Sequence, residues 1–133
     1  MEQTPLDVAI ALIEKDGTYL ITQRVHDDSF GGYWEFPGGK LESEETLENC
    51  LIREIQEELG MTVLVKSKAL VVEHPYPVRM IRLHCFFCTV ADGEPQTLEC
   101  AQWKWVLPHE LSEFQFPPAS SRVIHLLQKM SRP

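Results

Sequence analysis

The chain has 133 residues, 44% of them apolar and 24% charged, which excludes a disordered, collagen-like or coiled-coil protein. The length suits one domain over 1–133, long enough to bury a core. The net charge of −8 opposes tight, sequence-independent binding to a nucleic-acid polymer but not to a small phosphorylated ligand whose charge metal ions offset.

Val8–Glu14 and Thr18–Arg24 are apolar, β-prone runs joined by the turn signal Lys15-Asp16-Gly17, a hairpin. The run Val8–Ile13 is too short to span a bilayer, and Glu2 and Asp7 precede it rather than a basic segment. A soluble, cytoplasmic protein with no membrane partner is the expectation. Val25–Tyr33 is polar and glycine-bearing, a loop, and Trp34-Glu35-Phe36 is a short strand that Pro37-Gly38-Gly39 breaks. Thr46 to Leu59 is the clearest helix: Thr46 suits the N-cap, Gly60 the C′ position, and Leu47, Leu51, Ile55 and Leu59 form a core stripe. Two β-like stretches follow, Thr62–His74 and Val78–Val90, then a turn at Asp92-Gly93-Glu94-Pro95 and a strand at Trp103–Val106. Pro108–Glu113 starts a short helix, and Pro118–Met130 reads as a helix with Val123, Ile124, Leu126 and Leu127 on its apolar side. This order suggests a mixed sheet with helices packed on it.

The cysteines are Cys50, Cys85, Cys88 and Cys100, and nothing in the chain points to secretion and disulfides. Cys85 and Cys88 have the spacing of half a zinc site. Inside a strand, that odd separation puts them on opposite faces, so buried free thiols are expected.

Glu54, Glu57 and Glu58 stand at i, i+3 and i+4, within an arc of about 100° on a helix. Like charges at this spacing repel by a few tenths of a kcal/mol per pair. Their arc adjoins the core stripe, so they belong at a sheet edge. Arg53 can compensate through Glu57 or by reaching back to Glu45. Hard divalent cations, which take carboxylate oxygens, suit the geometry as well. Taken alone, such a run reads as a solvated acidic face. The segment Trp34-Glu-Phe-Pro-Gly-Gly-Lys40 shifts the balance: its glycines let backbone approach a ligand, and Lys40 can neutralise a phosphate.

Gly39 to Met61 matches every specified position of the Nudix box: Gly, five residues, Glu45, seven residues, Arg53-Glu54, an aliphatic, one residue, Glu57-Glu58, one residue, Gly60, a hydrophobic. On this motif the chain resembles the Nudix hydrolase family. Trp34-Glu-Phe-Pro-Gly-Gly-Lys, Ile21-Thr-Gln-Arg24 and Phe116-Pro-Pro-Ala-Ser120 are similar to its MutT branch. The resemblance implies an α/β fold, a Nudix-type α/β/α sandwich around a central mixed β-sheet. It implies Glu54, Glu57 and Glu58 as metal ligands with the Gly38 carbonyl, a Glu45–Arg53 brace, and Gly39 and Gly60 as structural positions of the box. It also implies a further carboxylate from a later loop, for which Glu99 is the candidate.

The implied reaction is hydrolysis of a nucleoside triphosphate to monophosphate and pyrophosphate, with Mg²⁺ as cofactor and Mn²⁺ able to substitute. A metal-bound water attacks, and Glu54 or Glu99 accepts its proton. Lys40, Arg24 and Arg79 would neutralise phosphate charge, while Phe116 and Ser120 would meet the base. Members that remove 8-oxo-dGTP often carry Asn after Pro-Pro-Ala. Here Ser120 stands there, and a hydroxyl cannot pair bidentately as an amide does. Preference for CTP or dCTP, or broad dNTP use, therefore stands beside 8-oxo-dGTP. ADP-ribose or a dinucleoside polyphosphate is a further alternative, and a non-catalytic nucleotide-sensing module is the alternative of another class. The expected partner is a small nucleotide, and the expected assembly is a monomer or weak dimer. No histidine has a nucleophile arranged beside it in a catalytic motif.

Overall fold

A computed structural model describes residues 4–26, 30–77 and 79–131. Val78 and part of the expected Val25–Tyr33 loop therefore lie outside the described residues. The first strand, β1 (Leu6–Lys15), is the centre of a seven-stranded mixed sheet. On one edge it pairs in parallel with β6 (Met80–Asp92), and on the other it pairs antiparallel with β2 (Thr18–Gln23) and β4 (Gly38–Lys40). β3 (Trp34–Glu35) and β7 (Gln102–Val106) both pair with β2, and β5 (Thr62–Pro75) runs antiparallel to β6 at the far edge.

A strand covered on both faces reads as an unbroken apolar run rather than an alternating one. β1 does so: Ala9, Ala11 and Ile13 enter one core and Leu12 the other, all fully buried. Its hairpin to β2 turns at Asp16 (φ 52°) and Gly17 (φ 80°), the left-handed pair that a two-residue turn requires.

The helix α1 (Leu47–Leu59) covers the first core. The Thr46 side chain accepts the Asn49 N–H at 3.1 Å, and Gly60 ends the helix at φ 69°. Leu51, Ile55 and Leu59 are fully buried against Ala9, Ala11 and Leu20, with Leu47 partly buried beside them. The second core, around Leu12, Ile21, Trp34, Val72 and Cys85, lies under two 3₁₀ turns (Pro108–Glu113 and Pro118–Ser120) and α2 (Ser121–Met130). Two helical layers on a mixed sheet give the expected α/β/α order. No helix among the described residues is long and apolar enough to cross a membrane.

Three expectations change. Pro37-Gly38-Gly39 does not end regular structure: Gly38–Lys40 is a strand registered on β1, with Ile10 opposite Gly38 and Val8 opposite Lys40. Glycine is a weak strand former, but at Gly38 (φ 156°) a Cβ would run into the Ala9 carbonyl, so only glycine lets the two strands approach. The Asp92–Pro95 segment is not a closed turn. Asp92 ends β6 and the chain leaves through Gly93 at φ 87° into irregular structure. Pro118–Met130 begins as a 3₁₀ turn and becomes α-helical at Ser121. Cys85 and Cys88 do fall in opposite cores, and all four cysteines are free and buried.

Candidate active site

The box helix and the glycine strand meet edge to face. A Cβ on Gly39 would fall inside the Glu54 carboxylate, so the missing side chain is the space that Glu54 occupies. Arg53 organises the charges around it. Its Nε donates to Glu45 Oε2 at 2.6 Å and its Nη2 to Glu45 Oε1 at 3.0 Å, a bidentate pair that holds the Glu45 carboxyl down to about 2. Its Nη1 reaches Glu54 Oε1 at 2.9 Å and Glu57 Oε1 at 3.2 Å. The Glu45–Arg53 brace and the Arg53–Glu57 pair expected from spacing are both present.

Glu58 lies beyond this guanidinium. It is deeply buried, and burial, followed by the charges of Glu35, Glu54 and Glu99, pushes its carboxyl up to about 8. Burial also raises Glu54. The Thr22 hydroxyl donates to Glu58 Oε1 at 3.4 Å. The loop after β6 is tied to the end of α1 by Gln96 N–H to the Leu59 carbonyl (2.9 Å) and Glu99 N–H to the Glu58 carbonyl (3.3 Å), which brings the Glu99 carboxylate within electrostatic reach of Glu54 and Glu58.

Among the described residues, no three acidic, histidine or cysteine side chains stand gathered as a finished metal cage. Arg53 engages Glu54 and Glu57 itself. The donor set nevertheless fits a hard divalent cation. It consists of carboxylate oxygens, with Glu58 buried among the like charges of Glu35, Glu54 and Glu99.

On the other face of the sheet a cavity of about 580 Å³ opens beside this cluster. Its floor is apolar: Leu6, Val8 and Ile10 of β1, Ile81 and Leu83 of β6, and Val123 of α2. Its polar walls are Arg24, Glu35 and Lys40 on one side and Tyr76, Arg79 and Ser120 on the other. Arg24, Lys40, Arg79 and Ser120 are therefore brought together, as expected. The Arg79 Nε donates to the Thr4 carbonyl at 2.8 Å. In the sheet register Ile81 lies opposite Leu6, two residues along β1 from Val8, which faces Lys40. Phe116 does not line the cavity. It stacks on Phe36, with centroids 5.4 Å apart, and so backs the wall.

Glu35 is the site residue that sequence reasoning missed. It lines the cavity, pairs with Arg24 at 2.8 Å, and is the carboxylate that weighs most on Glu58. Its place directly before Phe36-Pro37-Gly38-Gly39 was the available signal. Phe30 and Tyr76 at the mouth, with centroids 6.1 Å apart, carried no local signal at all.

The family model described as NUDIX domain matches residues 8–126. The chain is 34% identical over 128 residues to an 8-oxo-dGTP diphosphatase of Haemophilus influenzae, covering 96% of this chain and 94% of that one. It is 33% identical over 114 residues to a CTP pyrophosphohydrolase of Escherichia coli, covering 86% and 84%. The solution structure of the E. coli ORF135 protein superposes with a TM-score of 0.82 at 32% identity, covering 96% and 93%. The chain belongs to the NUDIX domain family.

Proposed function

We propose that this NUDIX-family chain hydrolyses nucleoside triphosphates to the monophosphate and pyrophosphate. The observation that carries the reading is Glu35, which belongs to both halves of the site. It lines the cavity and acts on Glu58, so a ligand seated in the cavity reaches the carboxylate helix. An apolar floor about the size of a nucleoside pocket, with Lys40 and Arg24 on the side facing the carboxylates, suits a base and sugar followed by phosphates.

In this reading Glu54, Glu57, Glu58 and Glu99, with the Gly38 carbonyl, hold Mg²⁺, for which Mn²⁺ substitutes. A cation held there would supply a water of lowered pKa and offset charge on the leaving phosphates. Lys40 and Arg24 neutralise the remaining phosphate charge. Arg53 donates hydrogen bonds to Glu54 and Glu57 and, through Glu45, fixes the loop before the helix. Glu54 or Glu99 takes the proton of the attacking water. Arg79 adds to the neutralisation of phosphate charge, and Ser120, 8% exposed in the cavity wall, meets the base.

A second reading concerns the base. Ser120 offers one short hydroxyl, and one of the relatives is a CTP pyrophosphohydrolase, so CTP or dCTP competes with 8-oxo-dGTP. Pyrophosphate release from 8-oxo-dGTP, dGTP, CTP, dCTP and ADP-ribose under identical conditions tests both. No release from any triphosphate in Mg²⁺ sinks the hydrolase reading. If CTP is the best substrate, the role in removing oxidised nucleotides fails.

A further inference from the structure

We propose that Thr22 is a positioning residue that orients the Glu58 carboxylate for the divalent cation; this rests on the reading of Glu58 as a metal ligand. β2 carries Tyr19, Leu20, Ile21 and Thr22 in succession, all buried. Thr22 is fully buried, and with Ser120 it makes up the buried polar residues among those described. A hydroxyl taken out of water without a partner is destabilising. Valine would fill the same volume in a strand at no such cost. The partner that accounts for threonine is Glu58 Oε1, at 3.4 Å and 36 residues away in the chain.

The surroundings of Glu58 explain why a donor matters there. Arg53 supplies hydrogen bonds to Glu45, Glu54 and Glu57, and among the described residues no cation pairs with Glu58. The groups that act on Glu58 from α1, β3 and the loop after β6 are the like charges of Glu54, Glu35 and Glu99. Glu35 is also the direct cross-strand neighbour of Thr22. Like charges push a carboxylate without choosing its direction, whereas a hydroxyl fixed on a central strand gives one oxygen a set place. The other oxygen is left for the cation. Residues that hold metal ligands in this way typically change metal affinity by about 10–100-fold when removed.

The test is Mn²⁺ binding, read from the electron paramagnetic resonance of free Mn²⁺, on wild type, Thr22→Val and Thr22→Ser, together with kcat and KM in Mg²⁺. Thr22→Val should raise the Mn²⁺ Kd about tenfold and lower kcat at unchanged nucleotide KM, and Thr22→Ser should restore most of both. Should Thr22→Val fail to fold by circular dichroism, Thr22→Ala removes the same hydroxyl without an added methyl. A wild-type Kd in the hydroxyl-less variant overturns the proposal, as does equal weakening in the Ser and Val variants, which would mark a packing effect. A wild-type chain that binds no Mn²⁺ overturns the metal reading and this proposal together, whereas wild-type binding with an unaffected Thr22→Val overturns this proposal alone.

Discussion

The two faces of the sheet are built in opposite ways. On the α1 face, Gly39, Glu45, Arg53, Glu54, Glu57 and Glu58 come from one short stretch of chain, and a single guanidinium joins Glu45, Glu54 and Glu57. On the α2 face, the cavity draws Leu6, Arg24, Glu35, Tyr76 and Ser120 from five separate elements or turns. Helical spacing places Arg53, Glu54, Glu57 and Glu58, because residues three and four apart share a helix face whatever else the protein does, and Glu45 joins them through Arg53. The second set exists only once β1, β6 and α2 have packed. In the proposed function, local geometry supplies the charge for catalysis, and long-range packing supplies the shape for selection.

The contrast is sharpest under mutation. Glu57→Gln should lower kcat on the order of 10²–10³-fold while the circular dichroism spectrum stays native, because the side chain is half exposed and carries charge rather than packing. Near-normal pyrophosphate release would break the assignment of chemistry to the α1 face. Leu51→Ala, beneath the same helix and fully buried, should cost about 2–5 kcal/mol in urea unfolding. A smaller loss would mean that α1 is held by its charges instead of its core stripe. Ser120→Asn should raise kcat/KM for 8-oxo-dGTP over dGTP about fivefold, the worth of one net hydrogen bond, with turnover of the preferred substrate limited by the unchanged α1 face. An equal change for all nucleotides would show that Ser120 shapes the cavity without reading the base.

The smallest effect lies at the edge shared by both faces. Asp7 accepts from Arg82 Nε at 2.8 Å and lies 2.8 Å from His84 Nε2, and these hydrogen bonds hold its carboxyl below the ordinary value of 3.8. The folded form therefore binds this proton less readily than the unfolded chain does. The resulting stabilisation is complete above the unfolded value and disappears as the pH falls through the folded one. Unfolding midpoints measured between about pH 5 and pH 2 should converge for wild type and Asp7→Asn at the acid end. A constant gap across that range would place the contribution of Asp7 in packing.

The hairpin, the capped helix and its core stripe, and the Glu45–Arg53 brace were legible because each depends on neighbours within a few residues. The glycine strand was not. Its residues disfavour strands, and only the register on Ala9 and Ile10 makes one. Glu35, in the middle of a recognisable segment, looked like a strand residue until Glu58, 23 positions on, was brought against it. Phe116 carried suitable chemistry but no indication of place: it lies behind Phe36.

From its sequence alone, then, this protein's acidic helix, its caps and its family were determined, since 3.6-residue periodicity and a spaced motif are properties of the chain itself. Which side chains share the cavity, which carboxylate is buried deepest, and which hydroxyl faces it were decided only by tertiary packing. Burial and electrostatic fields depend on distances through space, and those distances exist only after the sheet has closed between its two helical layers.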